Sequence, residues 1–482
     1  MSRIGLSRAT LFSSAAIVVG FASINSAAAL TLREAVAVAV QSNPQISQAS
    51  QNREATEFEL RQAKGLFLPS IDLETSAGVD RLDNPDRRAL GVEHDSLNPA
   101  EVGITITQKL FDGGNRRAEL RRQAARVDGA SFRVLERSEY IGLQVVKSYI
   151  EYLLQARIVQ ASAQNMSFHR KILNDISASI KGGALTEADR QQAQERLLGA
   201  TARLQQAKED LEASKIDFFK LVGKPLSSPA MPPSMTAALP KTLDNAIDLA
   251  RRNNPQVHMA RADVDAADAL VDKARASYLP EVDLEGSARA GSDISGVDGR
   301  TTELGARIVA KWNLYRGGID TANEQEQIRR ASEERYALHQ AYREVEDAVR
   351  TSWNRRVMQL GLEKTLQAQA AASDRLVTSY RQQFKVGQRS LLDVLDAQNT
   401  RVNTDILAMT SQYAVLFANY RLLAATGKLL SSFKLKPAPQ SEAYARKEFN
   451  VPETAATDTY ARTPSRQTNN LPFDLLTPVR GD

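Results

Sequence analysis

The chain has no cysteine in 482 residues, and aromatic residues make up only 6% of its composition. Without cysteine it forms no disulfide bond, holds no thiolate metal site and carries no lipid-modified cysteine of the kind that anchors a lipoprotein. Its four histidines, His94, His169, His258 and His339, lack the spacing of a metal site. Since no convergent polar cluster is visible either, we expect no metal, no cofactor and no enzymatic activity.

No charge of one sign prevails. The chain has 62 Lys and Arg residues against 57 Asp and Glu residues, and both signs are spread along its length. Because binding to nucleic acid requires a basic stripe, we expect no nucleic-acid partner. The mean hydropathy of −0.36 excludes a bundle of membrane-spanning helices.

Long apolar runs are also missing, except near the N-terminus. There, two arginines precede an apolar stretch at 15–22, and three alanines follow at 27–29. This order is typical of a signal peptide, so we predict that residues 1–29 direct export and that the mature chain begins at Leu30. An N-terminal membrane anchor is the alternative, but the run is shorter than the ~20 residues of a spanning helix.

The chain contains two copies of one unit. The landmarks recur in the same order: "SNPQ" at 42–45 and "NNPQ" at 253–256, "LFLPSIDLE" at 66–74 and "SYLPEVDLE" at 277–285, "KLFDGGNRR" at 109–117 and "NLYRGGIDT" at 313–321. Such an order indicates an internal duplication. We assign the first repeat to 30–240 and the second to 241–436. The polar, proline-broken tail at 437–482 is expected to be mostly disordered.

Each repeat contains a segment with a period of two. One series of residues, Ile71, Leu73 and Thr75, alternates with charged or polar ones, and a second series, Val102, Ile104 and Ile106, alternates with polar or small ones. The pattern predicts β-hairpins at about 70–111 and about 281–315, with one apolar and one polar face. Strands of about ten residues are long enough to cross a bilayer when tilted.

The hairpins are followed by segments without proline. We predict long helices at about 114–181 and about 318–385, each a rod of about 100 Å. A seam of residues seven positions apart predicts helix packing along the first rod: Leu120, Val127, Val134 and Ile141. Shorter helices, from Leu30 toward Leu66 and from about Thr186 to Val222, are expected end to end beside it.

Glycine pairs and prolines mark the ends of the hairpins. Pro69 and Pro280 precede the hairpins, and one glycine pair follows each hairpin: Gly113 and Gly114 after the first, Gly317 and Gly318 after the second. We expect the glycines to bend the backbone from strand to rod. Five aromatic residues gather at these junctions: Phe67, Phe111, Tyr278, Trp312 and Tyr315. They fit the interfacial belt of a membrane barrel, with ordinary core aromatics as the alternative.

Four strands in one chain do not close a barrel. Open strand edges in lipid would leave backbone groups unsatisfied, at several kcal/mol each. Closure must therefore occur between copies of the chain. Two, three or four copies would supply eight, twelve or sixteen strands, and the strand pattern alone leaves the number open.

Six motifs occur in a fixed order: "LTLREAVAVAVQSNP", "LPSIDLE", "QKLFDGG", "KGGALTEAD", "WNLYRGG" and, most specifically, "KVGQRSLLDVLDAQNT". Together they resemble the TolC family of outer-membrane efflux channels over nearly all of the mature chain. The resemblance implies a mainly α-helical chain with a small β part. Its homotrimer would form a twelve-stranded barrel in outer-membrane lipid, continued by a helical barrel through the periplasm.

The resemblance also implies partners and a role. An inner-membrane pump of RND or ABC type and its periplasmic adaptor would dock on the channel and open it. The channel would then be the exit duct for drugs, toxic compounds or secreted proteins in multidrug efflux or type I secretion. The alternative is a periplasmic coiled-coil adaptor or structural protein of an envelope complex, but such a protein would lack amphipathic hairpins at the same place in both repeats.

The resemblance further assigns an inner gate within "GQRSLLDVLD". Anchored on Arg389, it places constriction acids at Asp393 and Asp396, on one helical face, where three copies would form carboxylate rings that favour cations. It pairs Arg389 with Asp189 as a latch between inner and outer helices. The latch tyrosine of the family is Phe384 here, which has no hydroxyl. Solvated helix charges are the alternative interpretation of the two acids.

Overall fold

The computed structural model describes residues 30–181, 186–226, 229–296 and 298–454. The predicted signal peptide at 1–29 lies outside the described residues, as does the tail beyond residue 454. The described part is mainly α-helical with one small sheet, as predicted.

The first repeat has the following elements: α1 (Leu32–Ser42), α2 (Pro44–Gly65), β1 (Ser70–Ala77), α3 (Pro85–Leu90), β2 (Ala100–Phe111), α4 (Asn115–Lys181) and α5 (Glu187–Val222). The second repeat has α6 (Leu243–Asn253), α7 (Pro255–Ala276), β3 (Glu281–Ser292), β4 (Arg300–Lys311), α8 (Ile319–Lys385) and α9 (Leu391–Ala425). The short helices α10 (Leu429–Ser432) and α11 (Ala445–Glu448) follow. Among the described residues, no helix combines the length and the apolar character needed to cross a membrane.

Each repeat begins with a broken helix. The sequence predicts one helix running toward Leu66, but Asn43 has extended backbone, with φ −71° and ψ 127°. The cause is Pro44, whose ring excludes the helical conformation for the residue before it. The Asn43 side chain then caps α2, and Asn254 and Pro255 repeat this arrangement between α6 and α7. The paired "NPQ" motifs are therefore helix breaks with built-in caps.

The shorter helices pack along the long ones. Helices α2 and α5 lie on α4, helices α7 and α9 lie on α8, and α4 also packs on α7, which joins the two repeats. The predicted seam of α4 is confirmed, since Val127, Val134 and Ile141 are buried. Each such burial contributes about 1.5–3 kcal/mol.

The proline-rich link between the repeats wraps the helices near the middle of the rods. The hydroxyl of Tyr149 donates to the carbonyls of Leu30 and Ala230. The hydroxyl of Tyr420 donates to the Pro233 carbonyl at 2.6 Å. The described part of the link is therefore held by tyrosines from both repeats.

The start of the C-terminal tail is ordered. For residues 437–454 the prediction of disorder is wrong, because Arg446 docks between two buried carboxylates, Asp128 on α4 and Asp265 on α7. Val451 and Ala445 are buried beside Leu60. The segment thus lies across both repeats.

Candidate functional site

The four strands form one antiparallel sheet in the order β1-β2-β3-β4. The hairpins of the two repeats are therefore neighbours, joined through β2 and β3. Strands β1 and β4 each have a neighbour on one side only within the described part of the chain. Their outer edges present backbone donors and acceptors to another strand.

One face of the sheet is apolar and exposed. Leu73 lies opposite Ile104, which lies opposite Ala288, which in turn lies opposite Leu304. This row crosses all four strands, and Leu304 is 86% exposed. Other exposed members of the face are Ile71, Val102, Ile106, Leu284 and Ile308. So large an apolar face is typical of contact with lipid or with another protein.

The opposite face of the sheet is charged. Arg289 on β3 donates to Glu303 on β4 at 2.7 Å and to Glu101 on β2 at 3.3 Å. Arg307 pairs with Glu285 at 2.8 Å. The predicted alternation of an apolar and a polar face is confirmed, and it matches a membrane barrel with lipid outside and water inside.

The glycine pairs lie where strand turns into long helix. Gly113 has φ +65° and Gly114 has φ +94°, a region that residues with a Cβ rarely adopt. A Cβ on Gly113 would lie 2.6 Å from the carbonyl oxygen of Ala276, at the end of α7. Gly113 is thus fixed both by its backbone and by the close approach of the second repeat.

The second glycine pair makes the same bend with more space. Gly317 has φ +62° and Gly318 has φ +84°, and a Cβ on either would meet no atom within 4 Å. Pro69 and Pro280 lie directly before β1 and β3.

The aromatic residues at the junctions are exposed. Trp312 and Tyr315 are 59% and 84% exposed, and Phe67, Phe111 and Tyr278 are exposed to a lesser degree. The indole of Trp312 donates to the Tyr278 carbonyl at 3.0 Å. Within one chain these aromatic residues therefore lie outside the core.

At the far end of the rods, the predicted constriction acid Asp393 and the predicted latch acid Asp189 each lie in the first turn of a helix. Asp393 forms a capping box with Ser390, whose backbone N–H and hydroxyl donate to its carboxylate at 3.2 and 2.9 Å. Asp189 forms the same box with Thr186 at the start of α5. The Thr186 hydrogen bonds lower the pKa of Asp189. The two acids thus occupy equivalent positions in the two repeats.

Asp396 has a partner on another helix. Its carboxylate accepts a hydrogen bond from Arg196 of α5 at 3.0 Å. Sequence reasoning missed Arg196, because nothing in the local pattern of α5 pairs it with a residue so distant. It also missed the cap of Asp393, although the Ser-x-x-Asp spacing was present as a signal.

The predicted latch residues have other contacts within one described chain. Arg389 donates to Gln383 at 3.0 Å, lies over the Tyr380 ring at 4.3 Å and is 3.9 Å from Asp393. Among the described residues of one chain, Arg389 and Asp189 form no ion pair. Phe384 is partly buried and packs on an apolar cluster. The cluster's buried members are Ile176, Ala193, Leu391 and Leu395.

The described residues contain no group of acids and histidines that could hold a metal ion. At the gate end Asp393 and Asp189 take part in helix caps and Asp396 in an ion pair, whereas Arg289 and Arg307 pair across the strands of the sheet.

Comparison with known proteins gives one family. A model described as "Outer membrane efflux protein" matches residues 35–224 and 246–428. The chain is 24% identical to outer membrane efflux protein BepC of Brucella suis biovar 1 (strain 1330), covering 87% of this chain and 92% of BepC. It is 23% identical to proteases secretion protein PrtF of Dickeya chrysanthemi, with 83% and 89% covered. It is also 23% identical to outer membrane protein TolC of Escherichia coli (strain K12), with 85% and 84% covered.

Solved structures show the same fold. The CmeC outer membrane channel of Campylobacter jejuni superposes with a TM-score of 0.72 at 16% identity, covering 87% of this chain and 88% of that chain. The outer membrane protein VceC of Vibrio cholerae has a TM-score of 0.69 at 15% identity, with 82% and 96% covered.

Proposed function

Because the chain belongs to the outer membrane efflux protein family, we propose that it assembles as a homotrimer around one continuous passage. The chain is an outer-membrane channel for efflux or secretion that extends into the periplasm. Three copies would supply twelve strands for a barrel, and their long helices would continue the passage. The observation that carries this proposal is the two-faced sheet with unpaired outer edges.

The edges argue for assembly in lipid. An unpaired backbone group in the hydrocarbon region costs several kcal/mol, so a sheet of four strands requires other copies of itself to close. In the closed barrel the face with Leu73 and Leu304 would contact lipid. The face with Arg289 and Arg307 would line the water-filled passage, where its ion pairs remain hydrated.

The bends at the junctions would set the angle between barrel and rods. We assign this role to Gly113, Gly114, Gly317 and Gly318, with Pro69 and Pro280 at the strand starts. The exposed Trp312 and Tyr315 would lie at the membrane–water interface.

The helix ends that carry Asp393 and Asp396 would form the gate. Three copies of each acid around one axis would make rings that attract cations. Since Arg389 and Asp189 form no ion pair within one chain, a latch between them would join neighbouring copies.

The partners would be an inner-membrane pump of RND or ABC type and a periplasmic adaptor. Support comes from the relatives, which are named for efflux in one case and for protease secretion in others. The cargo would be drugs and toxic compounds in the first case and secreted proteins in the second.

Planar-bilayer recording tests the channel itself. Purified trimers are expected to give discrete single-channel conductance, and protein that inserts without conductance would contradict the proposal. Deleting the gene separates the cargo classes: raised drug sensitivity supports efflux, and loss of a protein from the medium supports secretion. Cross-linking in intact cells followed by mass spectrometry would identify the pump.

A further inference from the structure

Two arginines on one face of α5 contact α9. Arg196 Nη2 donates to Asp396 Oδ1 at 3.0 Å. One heptad further, Arg203 Nη1 donates to Asn403 Oδ1 at 2.8 Å. Both contacts cross from the first repeat to the second with the same spacing, so they form a short ladder. They differ in one respect, because only Arg196 meets a carboxylate.

This ladder lies on the weaker side of α9. Helix α9, which is about half as long as α8, packs extensively on α8 but touches α5 only locally. At the gate end the α5–α9 contact includes Ala193 and Leu395 of the apolar cluster described above. Arg196 lies one turn from Ala193, and Asp396 is next to Leu395. The ion pair thus lies at the margin of the packed cluster.

The two proposed gate acids consequently differ in electrostatic environment. Asp393 has Arg389 at 3.9 Å, just before the start of the same helix, and its carboxylate accepts the capping hydrogen bond from the Ser390 hydroxyl. Asp396 is paired with a cation from another helix. Arg196 also lies 3.5 Å from its neighbour Glu195, so two carboxylates share one guanidinium. The Arg196 and Asp396 side chains are 34% and 55% exposed, so their pairing contributes little to stability but still offsets charge locally.

We propose that Arg196 is a selectivity-determining residue of the gate: it neutralises Asp396 and thereby limits the negative charge that a passing ion meets. The inference rests on the proposed channel function and deepens it. Loss of Arg196 leaves the gate carboxylate of Asp396 unpaired in each chain, hence three such carboxylates in a trimer, next to the ring of Asp393. The passage then favours cations more strongly and binds multivalent cations more tightly.

Single-channel recording of four variants under a salt gradient tests this. Arg196→Ala is expected to raise the cation-to-anion permeability ratio at least threefold and to lower the concentration of a trivalent cation that half-blocks the current. Arg196→Lys, which keeps the charge, should stay near wild type. Arg203→Ala is the matched control, because it removes the same kind of contact from the same helix pair without freeing a carboxylate. Arg196→Ala combined with Asp396→Asn should return the ratio to wild type.

The outcomes separate two failures. If wild-type trimers conduct and Arg196→Ala leaves the permeability ratio unchanged, or shifts it no more than Arg203→Ala does, the role of Arg196 is wrong and the channel stands. If wild-type trimers do not conduct, both the channel and the role of Arg196 fail. Trimer mass and helix content, measured for each variant, show that a changed ratio does not come from misfolding.

Discussion

Arg446 and Asp128, 318 residues apart, form a buried ion pair with 3.0 Å between Nε and Oδ2. Asp128 also accepts hydrogen bonds from the backbone N–H groups of Tyr444 and Ala445, so it caps α11. Asp265 accepts from the other side of the guanidinium at 2.6 Å. One arginine near the C-terminus therefore fastens α4 of the first repeat to α7 of the second.

Replacing Arg446 with Ala is expected to destabilise the fold by about 3–5 kcal/mol, because two carboxylates are left buried without their cation. Thermal unfolding followed by circular dichroism measures the change. Glu448→Gln is the control, since Glu448 belongs to the same segment but forms an exposed pair with Lys64, worth about 0–1 kcal/mol. Equal stability of the two variants would show that the contact of Arg446 with Asp128 and Asp265 does not stabilise the fold.

Alanine at Gly113 should be far more damaging than alanine at Gly317. Both glycines have φ near +60°, so both variants carry the same backbone strain of about 1–2 kcal/mol. Only the Gly113 variant adds a clash, with its Cβ 2.6 Å from the Ala276 carbonyl oxygen. The yield of trimer from outer membranes is the measurement. Similar yields for the two variants would mean that α7 does not approach this junction so closely.

Glu139 should make stability depend on pH. It accepts hydrogen bonds from the backbone N–H groups of Leu429 and Leu430 at 3.1 and 3.2 Å. Burial outweighs these bonds and raises the pKa of Glu139 from 4.5 to about 7. Between these pH values the folded chain keeps a proton that the unfolded chain has lost, so stability falls as pH rises and the loss is complete above pH ~7.

The variant Glu139→Gln lacks the carboxyl group that takes up this proton, so its stability does not change with the titration of residue 139. Its free energy of unfolding relative to wild type should therefore rise by about 3 kcal/mol from pH 4.5 to 8. Glu119→Gln is the control: although burial acts to raise the pKa of Glu119, hydrogen bonds from Arg122 and Lys273 hold it at about 2. Glu119 contributes stability that is lost only below pH ~4.5. The difference in free energy of unfolding between Glu119→Gln and wild type should therefore stay constant from pH 4.5 to 8. A constant offset for Glu139→Gln as well would contradict the raised pKa.

Alanine at both Asp393 and Asp396 should weaken the cation preference of the channel and its block by trivalent cations, because both proposed rings vanish. Losing the hydrogen bonds that the Asp393 carboxylate accepts from Ser390 costs about 1 kcal/mol of stability in addition. Asp189→Ala removes the equivalent cap of α5 and serves as the control for that loss. Recordings in planar bilayers decide the matter: wild-type selectivity in the double variant would make both acids ordinary surface charges.

The repeats, the hairpins and the long helices were accessible from the sequence because each depends on a local period. Val127 and Val134 are seven residues apart, and Leu73 and Ile104 belong to strands with a period of two. The helix break at Asn43, which the prediction missed, was also accessible from a local rule, because the residue before a proline disfavours the helical conformation. The capping box of Asp393 was also accessible from a local rule, because the Ser-x-x-Asp spacing lies within four consecutive residues.

Arg196 and Arg446 were not accessible in this way. Their partners Asp396 and Asp128 lie 200 and 318 residues away, and which charges meet depends on how the helices pack. The polar composition of the tail predicts disorder and gives no sign that Arg446 contacts two buried carboxylates.

The central claim is that copies of the chain close a barrel that one chain leaves open. Native mass spectrometry of the mature protein, purified from outer membranes in detergent, tests it most directly. The account predicts one species with the mass of three chains and a retained strand signal in circular dichroism. A monodisperse monomer with the same strand signal would contradict it, because β1 and β4 would then be stable in detergent without a partner strand from another chain.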